Sequence, residues 1–542
     1  IDTPTNYEAD SGNNGGNYAT LNPLVFSQPT LSNGNLEAAA NSTWKSAFGT
    51  VEMPASGKTY WEATPSSATT IIGMAKIAPA SNSYIGDWAD SYGWYGNVGK
   101  KVEGPSNTQT TYASFSANDV IGLAYDADAG TLSFYKNGVS QGSAFTSLSG
   151  SFLPVISTYG GSVVVNFGQR PFAYTPPTGY KSLCTTNLPD PTIADGSTAF
   201  DAVTYSGNGT TQTITGINHS PDFVWIKCRN DSVGHQLFDQ VRGAGKSLLS
   251  NTTEAERTNH IYGYLSAFTS DGFTVTAGSS DDFEVNGSTE TYVAWNWDGG
   301  TSTASNTDGS ITSNVRANAS AGFSIGTYTG TYTAQPSSLD TVGHGLNAAP
   351  GLVITRSRGG SNWHVWHSAL DNDEYLRLNS TNAKATLSTG AGGSIATAPT
   401  SSVFPTYFLG GSNNGPSDSL VFYCFAPVAG YSAFGSYTGN GSSDGPFVYT
   451  GFRPSLVVIK RTDAANDWNV QDHKRTAYND QQTTSLQWNT SSSESDIGTD
   501  YRRDILSNGF KLRNTGTETN ASGGTYVYLA FAEHPFKTSR AR

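Results

Sequence analysis

Charged residues are scarce in this chain. Asp, Glu, Lys and Arg make up 13% of its 542 residues, about half the usual share. Disordered acidic tails are rich in charge and poor in aromatic residues, whereas aromatic residues reach 12% here. The composition therefore excludes such a tail. The 60 glycines indicate short strands that are joined by many tight turns.

Cysteine is equally rare. Cys184, Cys228 and Cys424 are widely spaced and odd in number, a pattern that fits neither a disulfide framework nor a zinc site. Cys228 and Cys424 lie in apolar, strand-like segments, so we predict that both are buried. The chain is expected to assemble in a reducing cytoplasm without oxidative folding.

Long apolar runs are absent too. No stretch of about 18 apolar residues occurs, so we predict no membrane-spanning helix and no membrane insertion. No signal peptide is visible, and because Ile1 rather than Met comes first, we expect an upstream segment to have been removed or left out. The formal net charge of −13 disfavours binding to nucleic acid, since an acidic surface repels phosphates.

The dominant pattern is the alternation of apolar and polar residues. Leu132 and Phe134 share one face of a predicted strand, and the following Asn137-Gly138 pair is typical of a type I′ hairpin turn. Helical periodicity is nearly missing, and the segment Glu254–Phe268 is the best candidate for a short helix. The sequence predicts an all-β protein.

Prolines divide the chain near Leu183–Thr192, and the part that follows is repetitive. Each of three copies contains Phe, then Tyr-(Ser/Thr)-Gly, a Pro-led apolar strand and a closing aromatic strand. The copies begin at Phe200, Phe323 and Phe434 and close on Tyr292–Trp297, Val421–Phe425 and Tyr526–Phe531.

We interpret this pattern as three tandem β-sandwich-like modules, each large enough for a small core. The predicted boundaries are an N-terminal segment 1–29, a first domain 30–190, module 1 at 198–300, a linker or exposed loop at 301–321, module 2 at 322–432 and module 3 at 433–542.

The first domain resembles SPRY domains. The matching motifs appear in the SPRY order: Tyr60-Trp-Glu62, Ile72-Gly-Met74, Tyr92-Gly-Trp94, Asp119-Val-Ile-Gly-Leu123, Leu132-Ser-Phe-Tyr-Lys-Asn-Gly138, Leu153-Pro154 and Val165-Asn-Phe-Gly168. The resemblance covers roughly residues 30–185. It implies a two-sheet antiparallel sandwich whose end loops bind protein or glycan partners, without enzymatic activity.

The whole arrangement resembles fibre proteins of tailed bacteriophages from marine hosts, with phrases such as Ala429–Gly441 in the modules. This resemblance implies a virion structural protein, assembled in the host cytoplasm and forming a homotrimer. It also implies contact with other virion proteins at the N-terminal end and attachment to a glycan or protein on the host surface.

Trp88, Tyr92, Trp94 and Tyr95 are the candidate binding residues, because aromatic rings among Asp and Asn suit the recognition of sugars or peptides. In SPRY domains part of this segment is a core strand. The alternative is therefore that Tyr92 and Trp94 belong to the core, which leaves Trp88 and Tyr95 as the better candidates for exposure.

Catalytic and metal sites find little support. The histidines of Trp363–His367 would point to opposite faces of a strand, so packing is the favoured interpretation and no metal site is predicted. Asp281-Asp282, Asp371–Glu374 and Asp126–Asp128 look like turns rather than paired catalytic carboxylates or a calcium loop. We predict no enzyme activity and no cofactor.

Three functions remain open. The favoured one is a fibre that attaches the virion to its host. The alternative is a purely structural capsid-decorating or tail component without a receptor. A polysaccharide-degrading spike is the third, and it would need a cleft with two carboxylates.

Overall fold

A computed structural model describes residues 16–535 except 26, 41, 77–82, 281–283, 332–339, 388–396, 407–412, 476–483 and 497–500. The chain divides into two compact units, with the boundary between Asp190 and Pro191. We call the part before this boundary unit 1 and the part from Pro191 to Pro535 unit 2. The boundary lies in the proline-containing segment Leu183–Thr192.

Unit 1 is built from antiparallel strands in two sheets. One sheet has the strand order β1-β2-β13-β4-β9-β10-β11, with β14 beside β4, and the other has the order β3-β12-β5-β6-β7-β8. The strands are β1 (Thr30–Ser32), β2 (Glu37–Ala40), β3 (Lys45–Phe48), β4 (Lys58–Pro65), β5 (Thr70–Ala75), β6 (Ser91–Tyr95), β7 (Lys100–Glu103), β8 (Thr108–Thr111), β9 (Ile121–Asp126), β10 (Thr131–Lys136), β11 (Val139–Phe145), β12 (Leu153–Thr158), β13 (Gly161–Asn166) and β14 (Lys181–Ser182).

The core of unit 1 lies between its two sheets. Trp94 of β6 packs against Phe134 of β10, with ring centroids 5.5 Å apart, and Trp61 of β4 is fully buried in the same cluster. At the β10–β11 turn, Asn137 and Gly138 both have positive φ, 49° and 79°, as the Asn-Gly signal predicts. The predicted SPRY-type sandwich is confirmed.

Unit 2 contains three groups of strands. The first group, module 1, is β15 (Phe200–Ser206), β16 (Thr211–Thr215), β17 (Phe223–Cys228), β18 (Gln236–Asp239), β19 (Lys246–Leu249), β20 (Arg257–Thr258), β21 (Tyr264–Thr269), β22 (Gly272–Thr276) and β23 (Thr291–Trp297). Module 2 is β24 (Thr303–Asn306), β25 (Ser313–Asn318), β26 (Phe323–Thr329), β27 (Asp340–Gly343), β28 (Leu352–Ser357), β29 (His364–His367), β30 (Glu374–Arg377), β31 (Ala385–Thr386), β32 (Val403–Thr406) and β33 (Ser419–Phe425). Module 3 is β34 (Ser432–Thr438), β35 (Phe447–Tyr449), β36 (Phe452–Arg461), β37 (Trp468–Asp472), β38 (Thr484–Gln487), β39 (Ser495–Asp496), β40 (Arg503–Leu506), β41 (Gly509–Leu512) and β42 (Thr525–Pro535).

The three modules repeat one sheet. Module 1 has the order β15-β23-β17-β18-β19-β20, and module 3 has the matching order β34-β42-β36-β37-β38-β39. Module 2 repeats it as β26-β33-β28-β29-β30-β31 and adds β25 and β24 at the edge. Each module also has a smaller sheet: β16-β22-β21, β27-β32 and β35-β41-β40. Helix is minimal in the described chain: α1 (Thr517–Asn520) and 3-10 turns at Thr185–Asn187 and Gly196–Thr198.

Two predictions about unit 2 were wrong. The segment 301–321 is not a linker or loop, because its residues form the hairpin β24–β25. Its polar composition reflects exposure, since β24 is an edge strand with three exposed residues. Glu254–Phe268 forms no helix but β20 and part of β21, and Gly263, with a φ of 100°, interrupts any helical run there.

The opening of module 3 also differs from its predicted position. Phe200 pairs with Trp297 and Phe323 pairs with Phe425, which are equivalent places at the ends of β23 and β33. In module 3 that place belongs to Ser432, which pairs with Phe531, whereas Phe434 lies two residues further along.

A single hydrophobic core joins all three modules. Phe223 of module 1 stacks on Tyr423 of module 2 at 4.4 Å between centroids, and Trp225 stacks on Trp488 of module 3 at 4.2 Å. A cavity of about 10 Å³ at this place is lined by side chains from every module. Modules 1 and 2 each hold a second cluster of their own, so the repeats are joined through a common centre.

Equivalent hydrogen bonds link the modules in a cycle. At each junction, a ring N–H at the start of β29, β37 or β18 donates to the last carbonyl of β19, β30 or β38, respectively, in the preceding module. For His235, Nδ1 accepts from Trp225 Nε1 at 2.9 Å, so the proton lies on Nε2. The bonds join Trp363 to Leu249 O at 2.8 Å, Trp468 to Arg377 O at 3.0 Å and His235 to Gln487 O at 3.0 Å.

Candidate functional site

Strand β6 carries three of the four predicted binding residues and places them on two faces. Successive side chains of a strand point to opposite sides, so Tyr92 and Trp94 point into the core and Tyr95 points outward. Trp94 is fully buried and donates from Nε1 to Ala113 O at 2.6 Å. Its assignment as a binding residue was wrong, because a side chain in this position fills the core.

Tyr92 and Trp88 are both half-buried. The Tyr92 ring packs edge-on against Phe145 at 5.3 Å, which ties it to the core. Trp88 lies 6.0 Å from the ring of Phe48, and its carbonyl accepts from Ser91 Oγ at 2.6 Å. Trp88 is therefore less open to a ligand than its glycine-rich surroundings suggest.

Tyr95 belongs to an aromatic cluster on the outer face of the six-stranded sheet. We define the aromatic cluster as Trp44, Tyr84, Tyr95 and Tyr159. The three tyrosine rings surround Trp44 at centroid distances of 5.3, 5.5 and 5.7 Å and at interplanar angles of 45°, 83° and 49°. At these angles the rings do not form a flat stack.

The register of the sheet brings these distant residues together. Lys45 of β3 pairs with Thr158 of β12, which also pairs with Thr70 of β5. Trp44 precedes Lys45 in the chain, and Tyr159 follows Thr158. Tyr95 of β6 pairs with Ile71 of β5. Trp44, Tyr95 and Tyr159 therefore lie at the same end of the sheet, where these neighbouring strands begin or end.

Tyr84 is supplied by a segment that is fastened across the outer face of the sheet. Ile85 N donates to Ser157 Oγ at 3.0 Å, and Ser46 Oγ donates to Ser83 O at 2.6 Å. Gly93 makes this approach possible, because a Cβ there would lie 2.9 Å from Ile85 Cγ2. One buried and one partly buried hydrogen bond therefore fix the segment that carries Tyr84 to the sheet.

The cluster combines aromatic surface with neutral polar groups. Tyr159 is 42% exposed, and the other three rings are half-buried. Asn107 Nδ2 donates to Tyr84 Oη at 3.2 Å, and the exposed Asn97 amide donates to Thr69 Oγ1 nearby. Burial raises the pKa of Tyr95, so its phenol is neutral near pH 7. Such a surface can stack on a ligand and exchange hydrogen bonds with it.

The sequence contained little that would reveal Trp44 and Tyr159. Each is a single aromatic residue without a motif, and only the pairing of β3, β12, β5 and β6 brings them next to Tyr95. Tyr84 begins the aromatic-rich segment that holds the four candidates, but nothing in that segment distinguishes it as part of a site. The SPRY pattern fixes the order of these strands but not the exposure of a residue beyond a strand end.

The histidine segment of module 2 is buried core, as the packing interpretation expected. Trp363 and Val365 face the common core, whereas Trp366 belongs to the cluster on the other side of the sheet. His367 is hydrogen-bonded to Tyr528 O at 3.1 Å, and His364 stacks on Tyr375. Within the described residues, no group of three His, Cys, Asp or Glu could hold a metal ion.

The acidic segments are occupied by turn and ion-pair contacts. Asp126 accepts from Ala129 N in a turn and pairs with Lys58 at 2.7 Å. Glu374 pairs with Lys384 at 2.8 Å. Asp281 and Asp282 lie outside the described residues.

Comparison with known proteins identifies a SPRY domain at residues 58–170. The Ran-binding proteins 9/10 homolog of Drosophila melanogaster is 37% identical over 86 residues, which is 16% of this chain and 9% of that protein. Ran-binding protein 10 of Danio rerio is 33% identical over 105 residues, 19% of this chain and 17% of that protein. The chain therefore spans less than a fifth of the length of these relatives.

Solved SPRY structures also match. The SPRY domain of human HERC1 is 21% identical, with a TM-score of 0.22 over 25% of this chain and 90% of that one. The TRIM65 PSpry domain is 16% identical, with a TM-score of 0.25 over 28% and 92% of the two chains. Among the described helices, none has the length and apolar character needed to cross a membrane.

Unit 2 matches one family model. The model covers residues 195–535, and its description is a domain of unknown function. This range takes in all three modules and more than half of the chain. The chain thus carries a SPRY domain in unit 1 and belongs to the DUF7483 family through unit 2.

Proposed function

We propose that this chain is an attachment protein of a virus particle, which binds a glycan or protein on the host surface through the aromatic cluster of unit 1. The supporting observation is the cluster itself. Its four partly exposed rings lie together at one end of the six-stranded sheet of a SPRY domain. Other virion proteins at the N-terminal end would anchor the chain, which assembles in the host cytoplasm.

The geometry of the cluster suits the binding of a ligand more than catalysis. Tyr159 contributes the largest open surface, and rigid tyrosine and tryptophan rings bind with a small loss of side-chain entropy. Fastening by Ser46 and Ser157 fixes the rings before a ligand arrives, and such preorganisation favours affinity.

A purely structural role is the second candidate, and the construction of unit 2 favours it. Its common core and cyclic hydrogen bonds are features of a rigid building block. In that case the chain would decorate the capsid or extend the tail without a receptor of its own.

Binding of the full chain to cells that the parent particle infects tests the proposal. Saturable binding is expected, and Tyr159→Ala should weaken it at least about tenfold, which corresponds to about 1.4 kcal/mol. Tyr174→Ala is the matched control, because Tyr174 is a 37% exposed aromatic residue of unit 1 outside the aromatic cluster.

Saccharides released from the cells are assayed in the same experiment. Binding without release supports attachment, and release would instead favour a polysaccharide-degrading spike. If the full chain binds none of these cells, the structural role becomes the better account. Equal loss of binding in Tyr159→Ala and Tyr174→Ala would contradict the assignment of the site.

A further inference from the structure

We infer that unit 2 is the single-chain counterpart of a cyclic trimer. Each module takes the place of one subunit, and its two contact faces are matched to the two neighbouring modules of the same chain. The partner that fits each face is therefore another module and not a second copy of the protein. This would give the chain a threefold arrangement as a monomer, in place of the homotrimer that the fibre resemblance implies.

The first support is the direction of the contacts between modules. In a cyclic trimer every subunit uses one face toward the subunit before it and a different face toward the subunit after it. The ring N–H bonds of Trp363, Trp468 and His235 all run from a module to the one before it. Module 1 has module 3 before it in this cycle, so the contact of His235 closes the ring.

A second set of equivalent bonds follows the same cycle. Here the residue just before β20, β31 or β39 donates its backbone N–H to the carbonyl of an equivalent residue after β28, β36 or β17 in the next module. The bonds join Glu256 N to Arg358 O at 2.8 Å, Lys384 N to Thr462 O at 2.9 Å and Glu494 N to Arg229 O at 2.5 Å. Two independent sets of hydrogen bonds, one from ring N–H groups and one from backbone N–H groups, thus repeat at all three junctions.

The junction between modules 3 and 1 is as complete as the other two, although no peptide bond joins these modules directly. Arg229 pairs with Glu494 at 2.6 Å, as Arg358 pairs with Glu256 at 2.6 Å in the junction of modules 1 and 2. Trp295 Nε1 donates to the buried Asp472 at 3.0 Å. A chain of loosely tethered modules would have no reason to place an ion pair and a buried Trp–Asp hydrogen bond at this junction.

The side chains at equivalent positions differ from junction to junction. Asp239 accepts from Tyr423 Oη at 2.8 Å, and Asp472 accepts from Trp295. At the same position in module 2, His367 donates to a backbone carbonyl. Because different side chains occupy equivalent positions, each contact face fits one neighbouring module and fits the other modules less well. Each of the three pairs of faces is thus occupied within the chain by the described residues, so these faces need no second chain.

The mass of the full chain in solution is the first test. We expect a species of 57.2 kDa whose mass does not change with concentration. A stable particle of three chains, with contacts that map to unit 2 by cross-linking, would overturn the inference. This result is independent of receptor binding, so the inference and the proposed function can fail separately.

Cleavage within the ring is the sharper test. A protease site inserted between the exposed residues Thr301 and Ser302 would cut the link between modules 1 and 2. In a closed ring the two fragments are held by two junctions, so the cut protein should keep the mass of the intact chain and separate only in denaturant. Separation of the fragments in buffer would contradict a closed ring.

Equivalent substitutions show whether the junctions act as the cycle requires. In the cut protein His235→Phe weakens the junction of modules 3 and 1, and should lower the urea concentration at which the fragments separate. Trp468→Phe is the matched control, because it removes the equivalent bond between modules 2 and 3, which a peptide link still joins. An equal effect of both variants on fragment separation would count against the cycle.

Discussion

His235 Nε2 in module 1 donates to the carbonyl oxygen of Gln487 in module 3, and the two atoms are 3.0 Å apart. The other ring nitrogen accepts from Trp225 Nε1, so a fully buried imidazole satisfies one donor and one acceptor at this junction. Residues that lie far apart in the sequence are thereby fixed to each other in the centre of unit 2.

Replacing His235 by Phe should destabilise unit 2. The variant keeps an aromatic ring but leaves the Trp225 N–H buried without its acceptor, at a cost of about 1–3 kcal/mol. The Gln487 carbonyl loses one donor but still accepts from Thr490 N. The urea midpoint of unit 2, followed by tryptophan fluorescence, should therefore fall. An unchanged midpoint would show that water or a shifted side chain replaces the histidine.

Acid should weaken the junction between modules 2 and 3 through His367. Burial lowers the pKa of this imidazole to about 4, whereas an unfolded histidine titrates near 6.5. As pH falls below 6.5, the unfolded chain takes up a proton that the folded chain refuses, so stability is lost progressively down to about pH 4. The loss amounts to about 3 kcal/mol.

The comparison of wild type with His367→Gln measures this effect, because glutamine keeps a donor for Tyr528 O but does not titrate. Denaturant unfolding from pH 7 to pH 4 should show a shallower pH dependence in the variant. Identical pH profiles would mean that other groups account for the acid sensitivity.

Lys460 should make stability rise with pH again, in mild alkali. Burial lowers the pKa of this amine to about 8 from 10.5, while its Nζ donates to Thr381 O at 3.0 Å and Asn466 O at 2.7 Å. Above pH 8 the folded chain releases a proton that the unfolded chain retains up to pH 10.5. Stability therefore rises with pH in this window.

Unfolding measured from roughly pH 7.5 to 9.5 tests this prediction, and Lys460→Met should remove the rise. Unfolded tyrosines begin to ionise near the top of this range, but they are the same in both proteins, so the difference between wild type and variant isolates Lys460. A rise of the same size in the variant would assign it to another buried group.

Substitution of Gly93 should disturb the binding surface from below. A Cβ at this position would lie 2.6 Å from Ile71 Cγ2 and 2.9 Å from Ile85 Cγ2, so Gly93→Ala should push the segment that carries Tyr84 away from the sheet. We expect weaker cell binding together with a modest loss of stability, of about 1–3 kcal/mol. Unimpaired binding by a folded Gly93→Ala protein would show that Tyr84 is dispensable.

Local patterns in the sequence predicted local structure well. The SPRY resemblance offered Tyr92 and Trp94 as core residues, which is where β6 places them, and the Asn137-Gly138 pair predicted the turn that the chain makes. The hairpin at 301–321 escaped detection because its edge strand β24 is mostly exposed and needs no apolar alternation. The repeats revealed three modules, since equivalent strands need equivalent residues.

The arrangement of the modules could not be derived in the same way. The bond from Trp363 to Leu249 O spans 114 residues and ends on a backbone carbonyl, which leaves no trace in residue identity. The aromatic cluster posed the same difficulty, because Trp44 and Tyr159 become neighbours only through the pairing of β3 with β12. Long-range register, rather than residue type, decides both features.

Competition for adsorption tests the central claim most directly. Purified full chain is mixed with particles and host cells, and the fraction of adsorbed particles is measured as the protein concentration rises. Wild type and Tyr174→Ala should block adsorption at the same concentration, whereas Tyr159→Ala should require at least about ten times more. Equal blocking by all three proteins, or blocking by none, would contradict attachment through the aromatic cluster.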